Sequence, residues 1–392
     1  MSIFDKCYNF EDAKKVKASG YYPYFRVISS EQDTEVLVNG KKMLMMGSNS
    51  YLGLTNHPKV KEAAIEAVKK YGSGCAGSRF LNGTLDIHIE LEERLAKLVG
   101  KEASLAFSTG YQVNLGTISA LVSKGEYIIT DKLDHASIID GCLLSFGKMV
   151  RFNHNNMDSL RKALDKTKGK NSVIVVDGVF SMEGDIADLP SIVEIAKDYN
   201  AGVMVDEAHS LGVFHESGAG TAKYFGLTDK TDLIMGTFSK SLASVGGFIA
   251  ANNEIIEYLK HNARSLIFSA SLPPASAASV IAALDIMENE PERIQKLWDN
   301  TNYMLKSFKE MGYDTGTSNT PVIPLHVGKR MTALQMWKQL AEAGVFINPV
   351  VPPAVPPNDS LIRCSFMATH TRKQLDMALD KFEKIGKKLK II

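Results

Sequence analysis

The stretch Leu233-Ile234-Met235-Gly236-Thr237-Phe238-Ser239-Lys240-Ser241 decides the fold class, because it puts one lysine among small and hydroxylated residues directly after an apolar run. Most lysines are solvated on the protein surface, whereas Lys240 stands between two apolar stretches. Desolvation there would lower the pKa of the amine and leave it free to form an imine. We therefore predict that Lys240 is the reactive group of a buried site, with Thr237 and Ser239 as hydroxyl donors to an anion.

A second polar site follows another apolar run, residues 202–205. Asp206 ends this run, where an unpaired carboxylate would be costly, although Asp is also common as a helix N-cap. His209 would lie on the same side if the segment turns helically. A lysine, a carboxylate and hydroxyl groups match the needs of pyridoxal phosphate (PLP), namely a Schiff base, a partner for the ring nitrogen and donors to the phosphate. His209 would then hydrogen-bond the 3-hydroxyl group of the ring.

Short apolar runs with helical stretches between them predict an open α/β fold. Their continuous apolar character indicates strands that are covered on both faces, and hence a mostly parallel sheet. Ligands of such sheets bind at the carboxyl ends of the strands. The runs are residues 104–107, 127–130, 149–152, 172–176, 202–205, 233–235 and 247–250, and helices are predicted over residues 157–166 and 189–199.

The pattern changes after Leu272-Pro273-Pro274 to a long helical stretch with Pro291 as its one predicted break. This helical stretch covers residues 275–311. After it we predict strands at 321–327 and 360–365 and helices at 332–343 and 371–389. Near the N-terminus, residues 35–38 and 42–46 should form a hairpin that turns at Asn39-Gly40. We expect an N-terminal arm (residues 1–47), a PLP-binding large domain (48–289) and a smaller C-terminal α+β domain (290–392). The stretch 349–357 has too many prolines for a regular element, so it is either a mobile loop over the site or a rigid linker.

Composition narrows the function classes. The formal net charge of the 392 residues is only +1, which gives no electrostatic case for binding nucleic acid or a strongly anionic membrane. The four cysteines are scattered without metal-ligand spacing, so we predict no metal site and no disulfide framework. No apolar run approaches the length of a spanning helix, about 18 residues. We expect a cytoplasmic protein, with transient contact to a membrane surface left open.

Three further segments follow predicted strands. Gly110 and Tyr111 open a helix after the first core strand, and backbone N–H groups at such a position bind anions; an ordinary βα turn is the alternative. His135 is a candidate to stack on the cofactor ring, and Ser181 is a candidate ring contact. Either residue could instead be structural.

Five motifs in order along nearly the whole chain resemble the α-oxoamine synthases, a family of fold-type-I PLP enzymes. They are residues 47–54 (GSNSYLGL), 72–84 (GSGCAGSRFLNGT), 134–137 (DHAS), 206–209 (DEAH) and the lysine segment 236–241 (GTFSKS). The resemblance implies a PLP-dependent transferase fold of type I, with a mostly parallel seven-stranded sheet between helices. It also implies a homodimer with two shared active sites.

The resemblance assigns a role to each candidate. Lys240 forms the Schiff base and acts as the base, Asp206 pairs with the pyridinium, and His135 stacks on the ring as a second catalytic residue. The remaining assignments are His209 and Ser181 to the ring oxygen; Gly110, Tyr111, Thr237 and Ser239 to the phosphate; Ser269 and Ala270 to the phosphate of the neighbouring subunit; and Arg363, Asn49, Ser78 and His135 to the substrate.

The implied reaction is the condensation of an amino acid with an acyl-CoA. Ser239-Lys240-Ser241 and the segment 363–371 resemble the branch that uses L-serine and a long-chain acyl-CoA, where other branches carry Gly-Lys-Ala at the lysine. Glycine with acetyl-CoA, or alanine with pimeloyl-CoA, are the alternative substrate pairs. A non-catalytic partner subunit is a third hypothesis, and the presence of Lys240 argues against it.

Overall fold

The computed structural model describes residues 2–392. Its strands are β1 Glu35–Val38, β2 Lys41–Met45, β3 Ala103–Phe107, β4 Tyr127–Asp131, β5 Lys148–Phe152, β6 Ser172–Asp177, β7 Gly202–Asp206, β8 Leu233–Thr237, β9 Gly247–Ala251, β10 Val322–Gly328, β11 Val345–Phe346, β12 Asn348–Val350 and β13 Ser360–Ser365. Its helices are α1 Asp5–Tyr8, α2 Asp12–Ala18, α3 Pro58–Tyr71, α4 Asp86–Val99, α5 Gly110–Leu121, α6 Ala136–Leu144, α7 Met157–Asp165, α8 Leu189–Tyr199, α9 Thr221–Tyr224, α10 Asn253–Asn262, α11 Arg264–Ile267, α12 Pro274–Asn289, α13 Glu292–Met311, α14 Arg330–Glu342 and α15 Arg372–Lys388.

A seven-stranded sheet in the order β3-β9-β8-β7-β6-β4-β5 forms the centre of the molecule. Six strands run in one direction, and β9 opposes both of its neighbours. Helices cover both faces, because alternate side chains of each strand enter different cores: Val203 and Val205 lie in one, Met204 in the other. The predicted α/β class and the mostly parallel seven-stranded sheet are confirmed.

The parallel strands bring several separate segments to one edge of this sheet. Asp177 and Asp206 end β6 and β7 and are direct neighbours in register. Beyond β8 the chain continues to Lys240, and beyond β3 it enters α5 at Gly110. We call this the carboxyl edge, and the opposite edge, where β4, β6, β7 and β8 begin, the amino edge.

The C-terminal part contains a three-stranded sheet, β10-β13-β12, with α14 and α15 packed on an apolar core of its own. Pro291 separates α12 from α13, as predicted. The hairpin β1–β2 turns at Asn39-Gly40, both with positive φ, and pairs with β11 in a second three-stranded sheet. The division into an arm and two domains stays a prediction.

One local prediction was wrong. Asn348–Val350 is a strand, β12, in spite of Pro349, and it pairs with β13. An edge strand tolerates a proline because it has hydrogen bonds to make on one side only, and β12 lies at the edge of its sheet. Of the helices that residues 2–392 form, none has both the length and the apolar character needed to cross a membrane.

Candidate active site

A cavity of about 340 Å³ opens at the carboxyl edge of the central sheet. It is the place where the strand ends meet, so it gathers side chains that are far apart in the chain. Nine predicted site residues line it: Gly110, Tyr111, His135, Ser181, Asp206, His209, Thr237, Ser239 and Lys240.

Lys240 lies on the loop after β8 and faces this cavity. Burial lowers its pKa to about 8, against the opposing effect of the Asp206 and Asp177 carboxylates. No hydrogen bond or ion pair occupies its ammonium within residues 2–392, although most buried polar groups have a partner. The amine is therefore free to react with a group bound in the cavity.

Asp206 is held by a small polar network. One carboxylate oxygen accepts the Ala208 N–H at 2.9 Å, and the other accepts Asn114 Nδ2 at 2.8 Å. Asn114 is fully buried in α5 and also donates to Ser137 Oγ at 2.9 Å, which contacts His135 Nδ1 at 2.7 Å. The network therefore fixes the orientation of the Asp206 carboxylate at this strand end.

A second carboxylate, that of Asp177, lies beside Asp206 in register and also lines the cavity. Its Oδ2 accepts the backbone N–H of His135 at 2.8 Å, which fixes the start of α6. Burial first, and then the Asp206 and Asp134 carboxylates, raise the pKa of Asp177 well above its usual range. Because two adjacent carboxylates do not both ionise readily, this environment favours the protonated form of Asp177.

His209 is buried and its Nδ1 lies 2.6 Å from the Tyr51 hydroxyl. Burial raises the pKa of Tyr51, so the phenol keeps its proton and can donate a hydrogen bond to Nδ1. Burial, with the nearby Lys240 and Arg363 charges, lowers the pKa of His209 well below its usual value. The imidazole is therefore neutral, and the tautomer that accepts from Tyr51 at Nδ1 carries its proton on Nε2, where it can donate to an oxygen atom in the cavity.

The start of α5 forms an anion site next to Thr237. Thr109 caps the helix by accepting the Gln112 N–H, while Gly110 and Tyr111, as the first helical residues, have amides without an intrahelical acceptor. A Cβ on Gly110 would lie 2.6 Å from Thr237 Oγ1, so only glycine leaves this cradle open. Amides, hydroxyl groups, a free lysine and a fixed carboxylate fit the phosphate, the aldehyde and the ring nitrogen of PLP.

Arg363 lies on β13 and is only 7% exposed. Its Nε donates to the Ser181 backbone oxygen at 2.6 Å and its Nη1 to Asn49 Oδ1 at 3.0 Å. Within residues 2–392 no carboxylate comes within 4.0 Å of this guanidinium, although buried charges are usually paired. Its guanidinium also interacts with the Tyr51 hydroxyl, and an anion that binds from outside the chain can supply its counter-charge.

Five predicted residues are not part of the cavity lining: Arg363 and Asn49, described above, and Ser269, Ala270 and Ser78. Ser269 Oγ accepts Gln112 Nε2 at 2.9 Å, and the Ala270 carbonyl accepts the Ser108 hydroxyl at the molecular surface. Ser78 is buried, and its hydroxyl has no hydrogen-bond partner in the described chain. Their roles toward the cofactor and the substrate stay predictions.

Sequence reasoning missed Asn114, Asp177 and Tyr51 as parts of the site. Asp177 carried a usable signal, since it ends an apolar run just as Asp206 does. Tyr51 lies inside the motif 47–54, and Asn114 lies in the helix that Gly110 opens, but nothing in their spacing indicates that Asn114 reaches Asp206 and Tyr51 reaches His209.

Comparisons with known proteins agree with this geometry. The sequence profile of the aminotransferase class I and II family matches residues 41–382. The chain is 56% identical to a serine palmitoyltransferase of Sphingobacterium spiritivorum, covering 99% of this chain and 98% of the relative. It is 44% identical to an 8-amino-7-oxononanoate synthase of Thermoanaerobacter pseudethanolicus, covering 100% of both. A solved serine palmitoyltransferase structure with its PLP internal aldimine has a TM-score of 0.95 and 38% identity, covering 99% of this chain and 98% of that chain.

Proposed function

The chain belongs to the aminotransferase class I and II family, and from that premise we propose that it is a PLP-dependent acyltransferase that condenses L-serine with a long-chain acyl-CoA. The products are a 3-keto long-chain base (3-ketodihydrosphingosine from palmitoyl-CoA), free CoA and CO₂. This is the activity of a serine palmitoyltransferase, and the reaction opens sphingolipid synthesis. The 56% identical relative of that name supports it over the 44% identical 8-amino-7-oxononanoate synthase.

The main support for an amino-acid substrate is that the buried Arg363 has no carboxylate partner within residues 2–392. A planar guanidinium binds a carboxylate through parallel hydrogen bonds, and two of the Arg363 nitrogens are already fixed by Ser181 and Asn49. The fork is therefore oriented before the substrate arrives, which reduces the entropy lost on binding. A substrate carboxylate there supplies the counter-charge that the chain itself does not.

PLP, when bound, withdraws electrons from the α-carbon of the amino acid and so makes its α-proton and its carboxylate labile. Asp206 keeps the ring nitrogen protonated, and His209 Nε2–H donates to the ring oxygen. Lys240 removes the α-proton. Its pKa of about 8 suits this role, because a base is most effective when its pKa lies near the working pH.

Two finer parts of the proposal concern assembly and location. We infer a homodimer that shares its active sites, supported by apolar side chains at the surface near the site: Phe268, beside Ser269 and Ala270, is 73% exposed. Leu143, Leu144 and Phe146 are likewise 69%, 62% and 82% exposed, and large exposed apolar surfaces are typical of protein interfaces. The enzyme would work in the cytoplasm, where its free cysteines stay reduced.

The experiment is a panel of L-serine, glycine and L-alanine, each with acetyl-, pimeloyl- and palmitoyl-CoA. Released CoA gives the rate and product mass gives the identity. We expect the highest kcat/KM for serine with palmitoyl-CoA, and a product that has lost CO₂. Faster turnover of glycine with acetyl-CoA, or of alanine with pimeloyl-CoA, would contradict the proposal.

Arg363 offers a matched control in the same panel. Arg363→Lys keeps the charge but loses the fork, so we expect the KM for serine to rise about tenfold or more, since removing a charge-assisted hydrogen bond costs about 1.5–3 kcal/mol. The KM for palmitoyl-CoA should stay nearly unchanged. An equal rise in both constants would argue against Arg363 as the carboxylate site.

A further inference from the structure

A second cavity, of about 280 Å³, opens at the amino edge of the central sheet, at the far end of the strands that carry Asp177 and Asp206. It lies between the sheet and helices α5 and α10, with Ile118 and Ile255 in its wall. Neither the PLP chemistry nor the proposed substrate sites use it. It is therefore a separate feature of the fold.

The wall of this amino-edge cavity is apolar where it is deep. Val175, Met204 and Leu233 are almost fully buried and belong to the core on this face of the sheet. Its volume is nearly twice that of an engineered apolar cavity of about 150 Å³ that stays dry and binds benzene. An alkyl segment would gain contacts there that water cannot make.

The mouth of the cavity, unlike its apolar wall, is charged. Glu126 and Asp232 are its two charged lining residues, and the lining contains no basic side chain. Glu126 is occupied by the Ser123 N–H and Asn171 Nδ2. Asp232 accepts the Val203 N–H through Oδ2 at 2.7 Å, while its Oδ1 has no hydrogen-bond partner within residues 2–392.

The basic group that interacts with Asp232 makes its hydrogen bonds elsewhere. Lys101, which interacts electrostatically with Asp232, points its ammonium at the carbonyl oxygens of Thr228 and Thr231. The cavity thus presents an apolar interior, a net negative rim and one free carboxylate oxygen. A ligand that matches has an alkyl chain and a cationic head that donates a hydrogen bond.

We propose that the amino-edge cavity binds amphiphilic amines. The long-chain amino ketone that the proposed reaction releases belongs to this class, so the identity of the natural ligand rests on the proposed function. Binding of the class itself rests on the cavity alone. Because the cavity shares β6, β7 and α5 with the active site, a bound amine also contacts the elements that position Asp177, Asp206 and Gly110.

The probe is N,N-dimethyldodecylamine, titrated into the holoenzyme by calorimetry below its micelle concentration. A tertiary amine cannot form an imine with PLP, so the heat does not report reaction at Lys240. We expect saturable binding with one site per chain, and at least tenfold weaker binding of dodecanoate, which has the same chain and the opposite charge. An absence of saturable binding, or equal binding of the two probes, would overturn the proposal.

Two variants locate the site. The Cβ position of Gly202 meets nothing closer than 3.6 Å, and the atoms there belong to Asp232 and Val173, so Gly202→Leu fills the cavity. We expect it to weaken binding at least tenfold, and Asp232→Asn, which keeps an acceptor for the Val203 N–H, to weaken it about tenfold. Binding that both variants leave unchanged would refute the assignment, and Asp232→Asn alone decides it if Gly202→Leu does not fold.

This result is independent of the substrate panel. If serine and palmitoyl-CoA fail as substrates but the amine binds in a Gly202- and Asp232-dependent way, the cavity stands and the proposed reaction falls. If the condensation proceeds and the amine does not bind, the reaction stands and the cavity assignment falls.

Discussion

The two edges of the central sheet are built from the same strands but present different side chains to their cavities. At the carboxyl edge, Asp177, Asp206 and the loop to Lys240 surround a polar cavity of about 340 Å³. At the amino edge, Val175, Met204 and Leu233 of the same strands line an apolar cavity of about 280 Å³. The central residues of these strands are apolar on both faces of the sheet. The chemical difference between the two cavities therefore arises at the strand ends.

This comparison shows where a parallel sheet places chemistry. The carboxyl edge collects loops that turn into helix N-termini, with free amides and room for charged side chains. Its groups are mutually oriented: Asn114 fixes Asp206, Tyr51 fixes His209, and Asn49 fixes Arg363. At the amino edge, the hydrogen bonds of Glu126, Asp232 and Lys101 share no partner among residues 2–392, so its cavity offers shape and a local charge.

The largest expected contrast is between two partly buried lysines, one at each edge. Lys240→Ala should lower kcat by about four orders of magnitude, since it removes both the base and the imine-forming amine. Lys101 is the control. It lies just before β3, at the amino edge, and its ammonium donates to two backbone carbonyls. Lys101→Ala should keep kcat within about twofold and lower the free energy of unfolding by about 1 kcal/mol. Comparable activity losses in both variants would contradict the division between the edges.

The next contrast is within the carboxyl edge, between neighbouring carboxylates. Asp206→Asn should lower kcat/KM by about 10²–10³-fold, as expected when a preorganised charge partner is removed. Asp177→Asn should cost less than about tenfold, because its carboxyl already carries a proton and an amide oxygen can still accept the His135 N–H. Steady-state rates and the visible absorbance of bound PLP measure both. Equal losses would show that Asp177 carries charge as Asp206 does.

A pH-dependent contribution to stability should also belong to the carboxyl edge. His154, after β5, contacts Asp131 and Asp185 at 3.1 and 3.0 Å. Burial alone would lower its pKa, but these two carboxylates raise it to about 10. The stabilisation is therefore complete below the unfolded-state pKa of about 6.5 and is lost as the pH rises through about 10. It should amount to about 2 kcal/mol after allowance for solvent screening.

The measurement is urea unfolding of wild type and His154→Gln at several pH values from 6 to 10.5. The difference between the two proteins should be largest at the acid end and shrink with rising pH. A constant difference would mean that the imidazole acts through packing against Phe180 and not through its charge.

The smallest expected effects come from substituting alanine for one glycine at each edge. Gly110→Ala should weaken PLP binding about tenfold, because the new Cβ would lie 2.6 Å from Thr237 Oγ1. Gly202→Ala, at the amino edge, meets only ordinary contacts and should raise the free energy of unfolding by about 0.4–1 kcal/mol. PLP titration of apoprotein and thermal unfolding provide the two values. A stabilising Gly110→Ala that binds PLP normally would remove the evidence for a cradle.

The sequence predicted the polar half of the site well for a physical reason. Lys240 and Asp206 each follow an apolar run, and parallel strands must bring such ends to one edge. The supporting residues could not be predicted in this way. Asn114 reaches Asp206 from a helix 92 residues earlier, and Arg363 meets Asn49 across 314 residues, so their contacts depend on how helices and the C-terminal sheet pack.

By itself the sequence determined the α/β class, the family, the PLP chemistry and the strand ends that carry it, because apolar runs, glycine turns and polar residues after strands are local properties. Only the tertiary structure decided that Tyr51 contacts Nδ1 of His209, that Arg363 is buried without a carboxylate from residues 2–392, and that Asp177 shares the site with Asp206. It also created the amino-edge cavity, whose wall joins residues of four strands and two helices. Burial, pairing and empty space depend on contacts between distant segments, and no local pattern encodes them.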